Sequence, residues 1–364
     1  MKIVFFSNNI QNTKHFRKPL IKFLKKKKHK LYLITFDKKF QNYETKFLSY
    51  FDNVYGISVK KISHFSLLKS IFKIYKILKR LEPNIILSFT LQANIVSSIL
   101  SKLTNYKFVL NVTGLGSYFI SGNKYLAYIL KRILKLSKYF VFQNKSDYEF
   151  FFKTNLDKKN IYIIPSLGIK IQKKKNIYFK KKKTNFIMVS RIIKDKGIIE
   201  YMSASNFFLK NKNVHFFLAG GIDKSNPSKI NKDKFFNLLK SSNVKYLGHI
   251  NDIQSIIRKY SCIVLPSYRE GFSKTLLEAG SHGIPAITSN VPGCYDIIQN
   301  NINGLLCKPR SARSLIKSIN LFLKMNYKTK KKLSDNAYQK VFRKFNQDII
   351  LEKYYKKIIN DIKN

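Results

Sequence analysis

Two glutamates eight positions apart, Glu270 and Glu278, bracket a turn in the run LPSYREGFSKTLLEAGSHGIPAI at residues 265–287. One carboxylate can hold sugar hydroxyls and the other can accept from a ribose diol. Backbone N–H groups near Ser273, Lys274 and Thr275, at the start of a helix, suit phosphate oxygens. That combination fits a nucleotide sugar. A plainer reading makes the same run a strand, a turn and a helix, with Thr275 and Glu278 as a capping box. Upstream, Ser190-Arg191 closes the apolar run NFIMVSR, and Lys196-Gly197 comes five residues later. Two cations at a strand's carboxyl end, just before a helix start near Ile198, could hold a diphosphate; they could also be surface charges in a basic chain. Ala219-Gly220-Gly221 ends another apolar run, where glycine lets backbone approach a ligand closely. Tyr246-Leu247-Gly248-His249-Ile250 ends the next.

The elements that must position these residues alternate between strand and helix patterns, which predicts doubly wound parallel sheets. Strands are expected at Lys2–Ser7, 30–36, 84–88, 107–111, 139–143 and 161–165. Helices are expected at 16–27 and 67–81, the latter with Leu68, Ile71, Phe72, Tyr75, Leu78 and Leu81 on one face. A lysine-rich stretch at 170–183 interrupts the pattern. Alternation resumes with strands near residue 185 and at 214–219, 244–247, 262–265 and 286–288, and with a helix from Lys274 to His282. His282 lies at that helix's end, where an imidazolium would complement the dipole. The expected domains are 1–168 and 169–346, facing each other across a cleft. A final helix at 347–364, striped by Ile350, Tyr354, Ile358 and Ile362, packs back on the first.

The chain has 364 residues, 45% of them hydrophobic, which allows two ordinary domains with full cores. Lys and Arg number 70 against 19 Asp and Glu, a formal net charge of +51. Nucleic acid, an anionic membrane or an anionic substrate could answer that charge. So could base composition, since the chain is crowded with Lys, Asn, Ile, Tyr and Phe. Only nine of the 70 are Arg, whereas nucleic-acid recognition favours Arg, and no nucleic-acid-binding signature is visible. Cys262, Cys294 and Cys307 stand at no metal-ligand spacing and fit reduced cytosolic thiols. MKIVFFSNNI reads as a first strand rather than a signal peptide, and no apolar window is long enough to span a bilayer.

The ordered motifs SRxxxxKG, AGG, YLGxxxD, LPSxxEGFxxxxLEAxxxGxPxI and NGLL, between Asn185 and Cys307, resemble the second domain of the retaining nucleotide-sugar-dependent glycosyltransferases of family 4. That family has the GT-B fold, an α/β architecture of two Rossmann-like domains. The resemblance implies that Arg191 and Lys196 bind the donor diphosphate. It places Glu270 on the transferred sugar beside Gly271, Phe272 and Ser273, and Glu278 on the ribose. His249 and Ile250 would line the base pocket, with Gly220 and Leu277 also at the donor. No metal and no separate cofactor are implied, because cations and a helix dipole supply the electrostatics. More narrowly, HFRKPLIKFL (15–24), TGLGSYF (113–119) and PSLGI (165–169) resemble bacterial enzymes that extend polyprenyl-diphosphate-linked glycans. Two departures stand out: Ser7 to Asn12 replaces a glycine-rich loop, and Asn111-Val112 precedes Thr113-Gly114 where relatives carry an acid or His. His15 is then the expected polar residue on the acceptor side. Gly114 and Gly116 bracket Leu115 in a loop that could admit a phosphate or simply turn.

Tyr125–Tyr139 places Tyr125, Tyr128, Ile129, Ile133 and Leu136 on one face beside Lys131, Arg132, Lys135 and Lys138. A helix lying in an anionic interface and a core-packed helix with a basic edge are both compatible with it. The expectation is a retaining hexosyltransferase moving a hexose or N-acetylhexosamine from a UDP sugar to a polyprenyl-diphosphate-linked glycan. It would be cytoplasmic, peripheral on the inner face of the membrane, and would bind no nucleic acid. The rivals are a GT-B transferase with a soluble acceptor, a sugar-nucleotide epimerase and a basic nucleic-acid-binding protein.

Overall fold

A computed structural model describes residues 1–37, 45–57, 64–114, 124–152, 160–172, 179, 183–223, 226–250 and 252–362. The chain divides into two compact units, Met1–Leu167 with Asp348–Asn364, and Gly168–Gln347.

The first unit carries a seven-stranded sheet, β1 (Lys2–Ser7), β2 (Lys30–Thr35), β3 (Asn53–Gly56), β4 (Ile85–Phe89), β5 (Lys107–Val112), β6 (Tyr139–Phe142) and β7 (Ile161–Ile163). All neighbours pair in parallel, in the order β3-β2-β1-β4-β5-β6-β7. Alternate residues of β1 go to opposite faces, Ile3 and Phe5 into one cluster and Val4 and Phe6 into another, as the two-residue period of a strand requires. Helix Ile10–Lys26 starts six residues earlier than the apolar pattern indicates, because the Asn9 side chain caps it by accepting from the Asn12 N–H at 2.7 Å. The second half of the Ser7–Asn12 run is therefore helix rather than loop.

The third helix, His64–Leu81, buries Ile71, Ile74 and Leu78, whereas Leu68 and Phe72 point outward. The buried stripe is thus rotated from the one the sequence indicates, since Ile74 displaces the aromatic edge from the core. After helix Gln347–Tyr354 the chain widens into a π-helical turn over Tyr355–Asn360. That wider turn brings consecutive Ile358 and Ile359 into the first core beside Ile350, Leu351, Tyr354 and Ile362.

The second unit holds a six-stranded parallel sheet, β8 (Thr184–Val189), β9 (Val214–Ala219), β10 (Val244–Tyr246), β11 (Cys262–Leu265), β12 (Ala286–Ser289) and β13 (Gly304–Cys307), in the order β10-β9-β8-β11-β12-β13. All three cysteines are buried and free of disulfides, and burial pushes the Cys307 thiol up to about 11.

Helix Lys274–Ser281 ends at His282, which is not the solvated imidazolium that its position invites. The ring is buried, its Nδ1 accepts from Arg258 Nε at 2.9 Å, and burial together with that guanidinium lowers its pKa to about 4. A neutral His in the fold that is charged when unfolded contributes stability above the ordinary value of 6.5, and this is lost as pH falls toward 4. The thermal midpoint is therefore expected to drop over that window. His282→Gln, which keeps an acceptor for Arg258 but does not titrate, should flatten the drop; an unchanged slope would refute the assignment.

Candidate functional site

In the second unit, strand order reverses between β8 and β11: from β8 the chain runs outward through β9 to β10, and from β11 the other way to β13. Loops leaving two such neighbours diverge and leave space at their carboxyl ends, where open α/β sheets hold ligands. The loop after β8 carries Arg191 and Lys196, and the loop after β11 carries Glu270.

Lys196 ends a short 3₁₀ turn, and Gly197 then takes φ 76° to start helix Ile198–Phe207. No other residue type fits there, since a Cβ on Gly197 would lie 2.2 Å from the Pro266 carbonyl oxygen. This close approach ties the two loops together. Lys196 Nζ donates to Glu270 Oε1 at 2.5 Å, and Ser267 Oγ donates to the same oxygen at 2.7 Å. The pair is mostly withdrawn from water, with 18% of the lysine and 11% of the glutamate side chain exposed. Arg191 sits further out, with Nη1 2.7 Å from Asp223 Oδ2. Sequence reasoning did not single out Asp223, although its place two residues after the glycine pair that ends β9 was a signal.

Gly220 takes φ 154° against the Ser190 carbonyl, which a Cβ would approach to 1.7 Å, and its N–H donates to Gly248. His249 is exposed beside Gly221, and Ile250 is half-buried. At the helix start after β11, Ser273 is the N-cap, its Oγ accepting from the Leu276 N–H. The Ser273 N–H itself donates to the Gly293 carbonyl at 3.2 Å, so it is not the open phosphate donor that the sequence indicates. Gly293, at φ 75°, allows this contact, because a Cβ there would meet the carbonyls of Glu270 and Gly271 at 2.7 Å. The Pro292-Gly293 pair was the legible signal for that supporting turn.

Glu278 is buried and 3.6 Å from Lys274. Burial raises its pKa, against the pull of Lys274. No capping box forms, since the cap is Ser273 rather than Thr275, whose hydroxyl donates to the Val189 carbonyl. Leu277 is fully buried in the second core, so its side chain cannot line a ligand and only its backbone could. Phe272 packs edge-on against Phe345. The structure thus brings Arg191, Lys196, Gly220, Glu270, Gly271, Phe272 and Ser273 to the carboxyl ends of one sheet.

In the first unit, His15 lies in the second turn of its helix rather than on a loop-to-helix turn, exposed with its ring edge-on to Phe16. Gly114 takes φ 124°, while Leu115 and Gly116 lie outside the described residues. The basic helix spans Lys124–Leu134 and stops short of Tyr139, which opens β6. Only Leu134 of it is buried.

Residues 170–340 match the family described as Glycosyl transferases group 1, and residues 2–144 match Glycosyl transferase 4-like. The chain is 31% identical, over all of both chains, to an N,N'-diacetylbacillosaminyl-diphospho-undecaprenol alpha-1,3-N-acetylgalactosaminyltransferase of Campylobacter jejuni. It is 25% identical to a UDP-Gal:alpha-D-GlcNAc-diphosphoundecaprenol alpha-1,3-galactosyltransferase of Escherichia coli, over 83% of this chain and 82% of that one. Among solved structures, the Anabaena HepE protein in complex with UDP and glucose superposes with a TM-score of 0.79 at 16% identity, covering 99% of this chain and 100% of that one.

The Lys196–Glu270 pair carries a direct energetic expectation. Removing one member strands the other charge in a mostly dry site, whereas removing both does not. Lys196→Met and Glu270→Gln should each destabilise the chain, and the double variant should cost less than their sum by about 1 kcal/mol or more. Urea unfolding of the three variants measures this, and additive losses would contradict it.

Proposed function

This chain belongs to the group 1 and 4-like glycosyl transferases, and we propose that it moves a hexose or N-acetylhexosamine from a UDP sugar to a glycan carried on polyprenyl diphosphate. In this reading the transfer retains configuration, needs no metal ion, and takes place at the cytoplasmic face of a membrane. The observation that supports it most is the meeting of Lys196 and Glu270 where strand order reverses, with Arg191 at the rim. The names of the Campylobacter and Escherichia relatives support the acceptor class.

Each residue has a physical task. As the bond from sugar to diphosphate breaks, negative charge grows on the leaving oxygen, and Lys196 and Arg191 are placed to stabilise it. Both cations are held by carboxylates, so they are oriented before the donor arrives. A diphosphate entering between them exchanges these partners for phosphate oxygens. Glu270, released from the lysine, then accepts from hydroxyls of the transferred sugar. Glu278 accepts from the ribose, while Gly220, His249 and Ile250 offer backbone and a rim for the base.

Lys196→Ala is expected to lower kcat by roughly 10²-fold or more at saturating donor, on the scale of a lost oxyanion donor. Near-normal turnover would remove Lys196 from the reaction. Glu278→Gln should weaken UDP binding, while Glu270→Gln should spare it and lower turnover. Because the Glu278 pKa is raised by burial, UDP affinity of the parent chain should fall at a pH above the ordinary carboxylate range as Glu278 protonates. Calorimetry with UDP across pH tests this; Glu278→Gln should show no such dependence.

The membrane enters through the first unit. Tyr125 and Tyr128 are 70% and 54% exposed on the helix Lys124–Leu134, where Arg132 lies over the Tyr128 ring, while Lys131 and Lys135 lie over Phe150 and Phe152. Phe72 and Leu68, also exposed, stand on helix His64–Leu81. Both helices pack against helix Leu91–Leu103. Exposed aromatics interleaved with cations suit an anionic interface. No helix among the described residues is long and apolar enough to cross a membrane.

Replacing Lys131, Arg132, Lys135 and Lys138 by Gln should weaken binding to anionic liposomes, at about 1 kcal/mol per charge, and leave UDP affinity intact. A matched variant of four exposed lysines in the second unit, Lys210, Lys212, Lys232 and Lys240, is the control. Equal losses from both would assign the binding to overall charge.

A further inference from the structure

The first helix buries Ile10, Thr13, Arg17, Leu20, Ile21 and Leu24, the spacing of a core-facing stripe, and one of those positions is an arginine. Arg17 is 9% exposed, and its guanidinium carbon lies 4.4 Å from the ring centroid of Phe89, the last residue of β4. Among the described residues it makes no ion pair and no hydrogen bond. Burial lowers its pKa to about 10, with Tyr354 acting in the opposite direction. Stacking on a phenyl ring leaves all five N–H donors of a guanidinium to be satisfied, and a buried cation without an acceptor is costly.

The space beside Arg17 is a narrow pocket at the carboxyl ends of β4, β5, β6 and β7, lined also by Asn111, Thr113, Gln143, Ser166 and Tyr354. Its wall is fixed. The Tyr354 hydroxyl donates to Asn111 Oδ1 at 2.8 Å, and Asn111 Nδ2 donates to the Ser88 and Val109 carbonyls. Ser166, one of the lining residues, holds φ 58°, a left-handed conformation uncommon outside glycine. No carboxylate among the described residues lines the pocket. There is room for at most one water-sized group, such as a single oxygen of a tetrahedral anion, and too little for a sugar ring.

We propose that this pocket is a phosphoryl-binding subsite, in which Arg17 receives the diphosphate of the lipid-linked acceptor. The shared chemistry is a phosphoryl oxygen that accepts from the N–H donors of a guanidinium. The assignment of that phosphoryl group to the acceptor rests on the function proposed above; the anion chemistry of the pocket does not.

Inorganic diphosphate, titrated calorimetrically into the full chain saturated with UDP, reads this pocket with the donor site filled. The parent chain is expected to bind it. Arg17→Met, which keeps side-chain length and the Phe89 contact, should weaken binding at least tenfold, with a thermal midpoint equal to or above that of the parent. Arg17→Lys should fall between, as a point charge without the guanidinium. In turnover, Arg17→Met should raise KM at least tenfold for a sugar on a short polyprenyl diphosphate and leave KM for the same sugar as an alkyl glycoside unchanged.

If diphosphate binding falls but KM for the lipid-linked sugar does not, the subsite is supported with a free anion as its source. If the parent chain transfers to no lipid-linked acceptor while Arg17→Met still loses diphosphate, the acceptor reading fails and the subsite stands. Unchanged diphosphate affinity in folded Arg17→Met overturns the subsite. A midpoint lowered by several degrees with binding intact would instead assign Arg17 to structure.

Discussion

Neighbouring strands in both sheets pair only in parallel among the described residues, and that constraint organises the rest of the molecule. Parallel neighbours cannot be joined by a tight turn, so the connections cross over, mostly through helices, and all carboxyl ends open on one edge. Where strand order reverses, the connections that follow two neighbouring strands leave in opposite directions, and the loops at the strand ends face one another. In the second sheet this happens between β8 and β11. Residues 74 apart in sequence, Lys196 and Glu270, meet there as a 2.5 Å ion pair. Gly197 and Gly293 are the local conditions of that meeting, since each removes a Cβ that would collide with a neighbouring loop's backbone.

The acids of this chain are few, and their placement is informative for that reason. Asp223 holds Arg191, Glu270 holds Lys196 and Glu278 holds Lys274, all at the carboxyl edge of the second sheet or in the first turns of the helix after β11. In a chain of net charge +51, where repulsion among cations is the default, three cations are individually oriented at this edge, while pairs such as Lys25–Asp52 and Lys331–Asp335 lie elsewhere. The first sheet treats its buried cation differently. Arg17 is given an aromatic face and a polar wall but no carboxylate among the residues lining its pocket. In the proposed reaction the first arrangement would fix cations that exchange partners, and in the proposed subsite the second would leave a cation's acceptor to come from outside the fold.

Strand–helix alternation made the architecture legible, and β9 and β11 have the ends their apolar runs indicate. The short edge strands β3 and β13 were not legible, because four-residue segments such as Asn53–Gly56 and Gly304–Cys307 carry turn residues and no clear period. The loop motifs around Arg191, Lys196 and Glu270 were visible because glycine and charge stand out against apolar strands. Two things were hidden: that the Ser273 N–H is consumed by Gly293, and that His282 is neutral. Both depend on what a distant segment brings to the position. Arg17 was hidden for another reason. Read along the chain it belongs to a basic run, and only the helix phase set by the Asn9 cap turns it inward.

Lysine dominates the positive charge here, and a drift toward lysine-rich composition would replace arginine wherever a point charge suffices. The arginines that stand in this chain are then informative by their geometry. Arg17 stacks on Phe89, Arg310 lies over Tyr268, and Arg132 both faces the Tyr128 ring and donates twice to its hydroxyl. Arg258 directs Nε to His282, and Arg191 directs Nη1 to Asp223. Each of these contacts uses the planar face or an in-plane N–H of the guanidinium. Surface charge that serves only solubility or a diffuse membrane field needs neither, and that task falls to lysine. Within a composition that otherwise says little, the arginine contacts mark positions where a planar group is used, while lysines such as Lys196 on Glu270 and Lys76 over the Phe72 ring are also held in place.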